Sequence, residues 1–147
     1  MTDRAPAGMR SDYLAFTSQS LRWNDNDVFG HVNNAEYYAL FDTAVVRFLI
    51  ESGEIAISGG ALGMVVVESG CRFHREVVFT DSISVGMRVA HIGRTSVRYD
   101  LAIFCNSDAT AAAEGHFVHV FVDRNTKRPT EIPAGLRAHF QSLAIGA

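Results

Sequence analysis

Alternating apolar and polar positions predict a pair of strands in the middle of the chain. Over residues 82–90 the apolar side chains fall on every second position, which is the pattern of a strand with one buried face. The same alternation resumes over residues 97–103, after a turn at residues 91–94. We therefore expect these two segments to form an antiparallel hairpin.

Three further segments favour extended structure. Residues 62–77 and 110–123 are long, rich in β-branched side chains and free of proline. Residues 13–23 show a weaker form of the same pattern. Together with the hairpin, these segments predict an antiparallel sheet of about five strands.

A different period runs from residue 34 to about residue 51. Apolar side chains recur there at spacings of three and four residues, with charged residues between them, which is typical of a helix with one buried face. Asn33 or Asn34 can cap the first turn, Glu36 suits the positive end of the helix dipole, and Gly53 can end the helix.

This helix is the one long helix that the pattern predicts, and the sheet has an apolar face to cover. The sequence therefore predicts an α+β fold in which an antiparallel sheet wraps around one central helix. A second, shorter helix is expected over residues 134–143, with Pro133 in its first turn.

Composition narrows the class of protein. The chain has 147 residues, of which 48% are hydrophobic and 20% charged, so we expect a single domain over residues 11–147 after a flexible N-terminus at residues 1–10. A net charge of -3 argues against general nucleic-acid binding. No leader pattern and no apolar run of ~18 residues are present, and both cysteines lie in apolar stretches, so we expect a cytoplasmic protein with no membrane contact.

Several common catalytic motifs are absent from the sequence. It has no Gly-x-Ser-x-Gly, no phosphate-binding Gly-x-x-x-x-Gly-Lys-Ser/Thr, no Cys-x-x-Cys and no His-Glu-x-x-His. The two nearest histidines, His116 and His119, are three residues apart in a predicted strand and should lie on opposite faces. We therefore predict no metal site.

A polar loop over residues 22–34 leads into the long helix. Its aspartate Asp27 lies a few residues before the helix start, where unpaired N–H groups and the helix dipole create positive potential. A carboxylate that acts as nucleophile or base, next to amides that can polarise a carbonyl, supplies the two components of acyl transfer to water. The commonest role of aspartates in such a stretch is to form turns, so Asp25 and Asp27 are also consistent with a structural Asx-rich loop, and His31 with a capping or packing residue.

The loop sequence Asp25-x-Asp27-x-x-Gly30-His31-Val32-Asn33-Asn34-x-x-Tyr37 resembles the 4-hydroxybenzoyl-CoA thioesterase-like acyl-CoA thioesterases, which have the hotdog fold. The resemblance covers nearly the whole chain after the first ten residues. It continues through Arg72-Phe73, Asp81, Thr95-Ser96, the run Val120-Phe121-Val122-Asp123 and Pro133.

The resemblance implies roles for the residues of the loop. Asp27 matches the catalytic carboxylate, which either attacks the thioester carbonyl to form a mixed anhydride or activates the attacking water. The backbone N–H of Asn34 matches the oxyanion contact, and Asp25 and His31 would be supporting residues. Another branch of hotdog thioesterases carries its carboxylate as a glutamate on the long helix. Since the Asp27 loop is intact, Glu36, Glu51 and Glu68 rank below Asp27.

The resemblance also implies substrate contacts. Arg94, in the hairpin turn beside Thr95 and Ser96, is the candidate contact for the CoA phosphates. The acyl pocket is expected to be lined from the helix and the sheet, by Tyr37, Phe41, Val66, Glu68 and Phe73.

The implied function is hydrolysis of an acyl-CoA to a free acid and CoA, with no metal or organic cofactor, by a homodimer or homotetramer whose acyl site lies between protomers. The acyl group stays open, because the enzymes specific for the 4-hydroxybenzoyl group lack the His-Val-Asn-Asn of residues 31–34. Two alternatives remain: a non-catalytic acyl- or CoA-binding protein, and a thioesterase acting on acyl carrier protein. The loop does not resemble the His-Asp motif of hotdog dehydratases.

Overall fold

The computed structural model describes residues 5–55 and 60–144. Within these ranges the regular elements follow in the order β1 (Ala15–Gln19), α1 (Asn34–Glu51), β2 (Leu62–Phe73), β3 (Ile83–Ile92), β4 (Ser96–Cys105), β5 (Ala113–Asp123) and α2 (Ala134–Ser142). A short 3-10 turn precedes β1 at Arg10–Asp12, and another follows it at Trp23–Asp25.

The strands form one antiparallel sheet in the order β1-β3-β4-β5-β2. The predicted hairpin is confirmed: β3 pairs with β4 from Ile83 opposite Cys105 to Ile92 opposite Val97, with a bulge between Val89 and His91. Strand β1 is shorter than the predicted segment 13–23, and β5 begins three residues later than expected. In the described part of the chain, β1 and β2 are the two edge strands.

Strand β2 ends four residues before the predicted end of that segment, so the prediction of a strand to residue 77 was wrong. The N–H groups of His74 and Arg75 both donate to the carbonyl of Ala112, at 2.8 and 3.1 Å, and this shared acceptor ends the regular ladder. The chain then bends, and the carbonyl of Val77 accepts the N–H of Val32 at 2.8 Å. The segment after β2 therefore leaves the regular ladder, and Val77 bonds to the loop before α1.

Helix α1 has the bounds that the periodicity predicts. The Asn33 side chain accepts the N–H of Ala35 at 3.0 Å, which identifies Asn33 as the N-cap. At the other end Gly53 has a φ of 78°, a left-handed conformation that glycine adopts without steric cost. The predicted stop at Gly53 is thus confirmed.

The core lies between α1 and the inner face of the sheet. Phe41, Val45 and Leu49 of α1 are fully buried, and they share one apolar cluster with Tyr99 and Leu101 of β4. Helix α1 packs against the five-stranded antiparallel sheet, and the predicted α+β architecture of the hotdog fold is confirmed.

Helix α2 closes the core on one side. The ring of Phe140 contacts those of Tyr99 and Phe121, with centroid separations of 5.8 and 6.0 Å. Pro133 is the N-cap of α2, one position before the first turn in which it was expected.

The expected flexible N-terminus includes residues 1–4, which lie outside the described residues. In its described part, Met9 forms a bridge with Thr110, and the Arg10 N–H donates to the carbonyl of Ala109 at 2.7 Å. The Arg10 guanidinium lies over the ring of Phe104, 4.8 Å from its centroid. No helix in the described ranges has the length and hydropathy needed to cross a bilayer.

Candidate active site

A cleft of about 1180 Å³ opens beside the N-terminus of α1. Two stretches of chain form its walls, with Tyr37 of α1 between them. One wall is the loop before α1, and the other is the segment where the chain leaves β2. The lining residues are 23–24, 26–34, 37 and 73–76.

Asp25 fixes the start of the loop. Its buried carboxylate accepts the Arg22 N–H at 2.7 Å and the Arg22 guanidinium at 2.8 Å, while its carbonyl accepts the N–H of Asn33 at 2.8 Å. Burial acts to raise the pKa of Asp25, but these hydrogen bonds outweigh burial and the pKa is lowered. Asp25 therefore ties the loop to the cap of α1.

Asp27 lies at the turn of the loop. Its Oδ1 accepts the N–H of Phe29 at 2.8 Å, and its Oδ2 lies 3.7 Å from Nδ1 of His31. The Asp27 N–H donates to the carbonyl of His31 at 2.8 Å, which closes the loop. Gly30, with a φ of 90°, makes the reversal possible. One carboxylate oxygen is therefore held by the main chain, and the other faces His31.

Asn34 supplies the first amide of α1. The N–H groups that follow it are satisfied by Asn33: its side chain accepts that of Ala35, and its carbonyl accepts that of Glu36 at 2.9 Å. Among the described residues the N–H of Asn34 has no acceptor, as helix geometry leads one to expect at this position. This amide lies at the positive end of the helix dipole, in a residue that lines the cleft, and an N–H group at such a position can stabilise a developing oxyanion.

The opposite wall carries an aromatic contact and two charges. The rings of Tyr37 and Phe73 meet edge to face at a centroid separation of 4.8 Å. Burial raises the pKa of Tyr37 to about 12, so its hydroxyl is neutral. Glu76 Oε1 lies 3.9 Å from Nε2 of His31, and Arg75 forms an ion pair with Asp108.

The structure brings five of the predicted site residues to this cleft, and these are Asp27, His31, Asn34, Tyr37 and Phe73. The predicted pocket residue Phe41 does not line it, since its ring is fully buried in the core and meets Phe117 at a centroid separation of 6.4 Å. Glu68 lies on β2, where Oε2 is 2.7 Å from Nε2 of His116.

The hairpin turn residues Arg94, Thr95 and Ser96 do not line the cleft of this chain either. The Arg94 carbonyl accepts the N–H of Ile132 at 3.0 Å, and the Thr95 carbonyl accepts the N–H of Phe121 at 2.8 Å. The turn is thus bonded to the end of β5 and the segment before α2. Contact of these three residues with substrate phosphates stays a prediction.

Sequence reasoning missed part of the cleft. Trp23, Val28 and Phe29 are strongly exposed apolar residues of the loop. Apolar residues within a polar loop often line a binding surface, so the sequence pattern could have indicated these three. Residues 74–76 could not be identified in this way, because they lie within the segment 62–77 that was predicted as a strand.

The part of the chain that the structure describes contains no cluster of metal ligands. Among residues 5–55 and 60–144, no three His, Cys, Asp or Glu side chains are arranged so that they could hold a metal ion. His116 and His119 lie on opposite faces of β5 as predicted: His119 is buried in the core, and His116 faces away from it.

The fold and the cleft define a hotdog protein with a carboxylate at the start of its central helix. The family model of the thioesterase-like superfamily matches residues 21–140. The chain belongs to this superfamily, and membership supports a thioesterase activity in general. A search of curated proteins finds no match.

Solved structures agree with this assignment. The PA5185 protein from Pseudomonas aeruginosa strain PAO1 is 47% identical, with a TM-score of 0.93 over 97% of this chain and 99% of that chain. The PA2801 protein from the same organism is 29% identical, with a TM-score of 0.79 over 86% and 97% of the two chains. Slr0204, a 1,4-dihydroxy-2-naphthoyl-CoA thioesterase from Synechocystis, is 16% identical, with a TM-score of 0.79 over 87% and 96%. This last likeness shows the shared fold.

Proposed function

We propose that the protein hydrolyses the thioester of an acyl-CoA to a free carboxylic acid and CoA. One observation carries the proposal: Asp27 and Asn34 line the same cleft at the N-terminus of α1. The first can supply the attacking or water-activating group, and the second can stabilise negative charge on the carbonyl oxygen.

Two routes lead from this arrangement to the products. In the first, Asp27 Oδ2 bonds to the carbonyl carbon, the C–S bond breaks, and the thiolate takes a proton from solvent. Water then opens the mixed anhydride and restores the carboxylate. In the second, Asp27 accepts a proton from the water that attacks the carbonyl carbon, the C–S bond breaks in the collapse of the oxyanion, and the leaving thiolate takes the proton back from Asp27. Both routes use the Asn34 N–H, and His31 positions Oδ2 in both.

Membership of the superfamily supports a thioester substrate, and Slr0204 provides a CoA example on the same fold. The acyl end would meet the apolar surfaces of Tyr37 and Phe73, which contact each other in the cleft wall. Aromatic, short-chain and long-chain acyl groups are therefore the substrates to compare.

The decisive experiment measures thiol release from a panel of aromatic, short-chain and long-chain acyl-CoA compounds. We expect wild type to hydrolyse at least one, and Asp27→Asn to lower its kcat by about 100-fold or more, because the amide neither attacks nor accepts a proton. The amide oxygen can still accept the Phe29 N–H, so the loop should persist. Equal rates for the two proteins would contradict the assignment. Thermal stabilisation by acyl-CoA without thiol release would identify a binding protein instead.

We also propose that the active unit is a dimer formed along the outer edge of β2. This 12-residue strand exposes three consecutive valines, Val65, Val66 and Val67, at an edge without a neighbour in the described chain. Long apolar edges favour pairing with a second sheet. Light scattering should give twice the chain mass for wild type and a monomer for Val67→Lys. Leu14→Lys, an exposed position near the opposite edge, is the matched control and should leave the mass unchanged.

A further inference from the structure

Arg75 is the one lysine or arginine among the described residues that line the cleft. Its side chain is 43% exposed, against 19% for the side chain of Asp27, while Tyr37 as a whole residue is 3% exposed. The exposed fraction therefore increases from Tyr37 through Asp27 to Arg75, and the guanidinium carries a permanent positive charge at the exposed side of the cleft, where the carboxylate of Glu76 is also exposed. A ligand with a reactive carbonyl at one end and an anion at the other matches this order.

The Arg75 guanidinium is paired with a carboxylate from which it can separate. The Arg75 guanidinium pairs with the carboxylate of Asp108, whose side chain is 44% exposed. Ion pairs at such exposure are weak, so Arg75 can exchange this partner for another anion at little cost. The neighbouring carboxylate of Glu76 is nearest to a different group, His31.

The backbone that carries Asp108 is held independently of its side chain. The Asp108 N–H donates to the carbonyl of Cys105 at 3.0 Å, and the Asp108 carbonyl accepts the Arg10 guanidinium at 2.9 Å. Removing the negative charge of Asp108 should therefore free Arg75 without moving the loop. The charge of Asp108 can therefore be removed while its backbone hydrogen bonds are kept, and this makes the ion pair testable.

We propose that Arg75 binds the phosphate at the 4′ end of the pantetheine arm, and that Asp108 competes with this phosphate for Arg75. The inference rests on the proposed function, since it assumes a pantetheine thioester with its carbonyl at Asp27. A guanidinium matches phosphate oxygens with two parallel N–H donors, so a phosphate can replace the Asp108 carboxylate in the same geometry. Both CoA and the prosthetic group of acyl carrier proteins present this phosphate.

The test compares one acyl group on three thiols: pantetheine, 4′-phosphopantetheine and CoA. Arg75→Gln should raise KM about tenfold for the two phosphate-bearing substrates and leave KM for acyl-pantetheine within about twofold, with kcat unchanged. Arg128→Gln, at an exposed position in the loop after β5, removes the same charge away from the cleft and should change none of the three.

Asp108→Asn should act in the opposite direction. Without the competing carboxylate, KM for the two phosphate-bearing substrates should fall by about two- to fivefold, and KM for acyl-pantetheine should not change. In the Arg75→Gln background the Asp108→Asn change should have no effect. If Arg75 had only a structural role, the Asp108→Asn change would not lower KM for these substrates.

An equal change for all three substrates in Arg75→Gln, or a higher KM in Asp108→Asn, would overturn the inference. Failure of the proposed function gives a different result, because wild type would then release thiol from none of the three substrates. In that case calorimetric Kd values for the same three compounds replace KM, with the same expected pattern. A fourth substrate, the same acyl group on an acyl carrier protein, identifies the source of the phosphate. If its kcat/KM is higher than that of the acyl-CoA, and if Arg75→Gln removes this advantage, the phosphate belongs to the carrier protein.

Discussion

Asp27 and His31 face each other across a closed loop, with Asp27 Oδ2 3.7 Å from His31 Nδ1 and the Asp27 N–H bonded to the His31 carbonyl at 2.8 Å. A β-bridge between Asn26 and Val32 closes the loop one position further out. The direction of the carboxylate is therefore set by main-chain hydrogen bonds within seven residues, and only its free oxygen depends on the imidazole.

The oxyanion role of the Asn34 amide can be tested without altering the cap. Asn34 is the first helical residue, where proline is tolerated, and Asn33 before it has a ψ of 137°, which suits a following proline. Asn34→Pro removes the N–H and should lower kcat for the best acyl-CoA by about 100- to 1000-fold.

The comparison variant for this amide is Asn34→Ala, which keeps the N–H and should lose only a few-fold in kcat. Circular dichroism and thermal melting should show both variants folded. Similar kcat values for the two variants would mean that the amide does not stabilise the transition state.

Buried His119 should make the stability of the protein depend on pH. The residue is 2% exposed, and burial lowers its pKa from 6.5 to about 4. Above pH 6.5 both the folded and the unfolded states hold it neutral. As pH falls below 6.5 the unfolded state takes up a proton first, so the free energy of unfolding decreases until the pH reaches the folded pKa.

Between pH 7.5 and pH 5 we expect this residue alone to lower the free energy of unfolding by about 2 kcal/mol. Urea unfolding of wild type and His119→Gln at both pH values measures the effect, since glutamine is neutral throughout and can still bond the Tyr99 hydroxyl, 3.2 Å from Nδ1. An equal loss in both proteins would exclude His119 as its source.

Two glycines with equally close neighbours should respond differently to alanine. An added Cβ at Gly115 would lie 2.6 Å from both the Gly70 carbonyl oxygen and the fully buried ring of Phe41, neither of which can move freely. Gly115→Ala should therefore lower the free energy of unfolding by roughly 1–3 kcal/mol.

At Gly135 in α2 the added Cβ would also meet atoms at 2.6 Å, but they are the carboxylate oxygens at the flexible end of Glu54. Gly135→Ala should be neutral or stabilise the protein by up to about 1 kcal/mol, because alanine favours the helix. Urea unfolding compares the two variants. Destabilisation by Gly135→Ala as large as that by Gly115→Ala would show that Glu54 is held rigidly.

Local patterns were sufficient for most of the fold. The period of the apolar residues located α1, and the cap at Asn33 and the glycine at Gly53 marked its ends, because helix termini are satisfied by neighbouring residues. Alternation likewise located the β3–β4 hairpin, since a strand with one buried face imposes a period of two. The loop from Asp25 to Asn34 was also recognisable, as its own hydrogen bonds determine its shape.

The other wall of the cleft could not be predicted in this way. Residues 74–77 were included in the segment predicted as a strand, but their main chain bonds to distant partners: the N–H groups of His74 and Arg75 donate to the carbonyl of Ala112, and the carbonyl of Val77 accepts the N–H of Val32. The helix stripe likewise did not distinguish Tyr37, which reaches the cleft, from Phe41, which is sealed in the core one turn later.

The sequence by itself determined the elements, their pairing in the hairpin and the loop that carries Asp27, because each follows from spacing along the chain. Only the tertiary structure decided that Arg75 and Phe73 lie opposite that loop, and that Arg94 and Phe41 do not line the cleft of this chain. A cavity is bounded by residues that are far apart in sequence, and its lining depends on where the backbone bends.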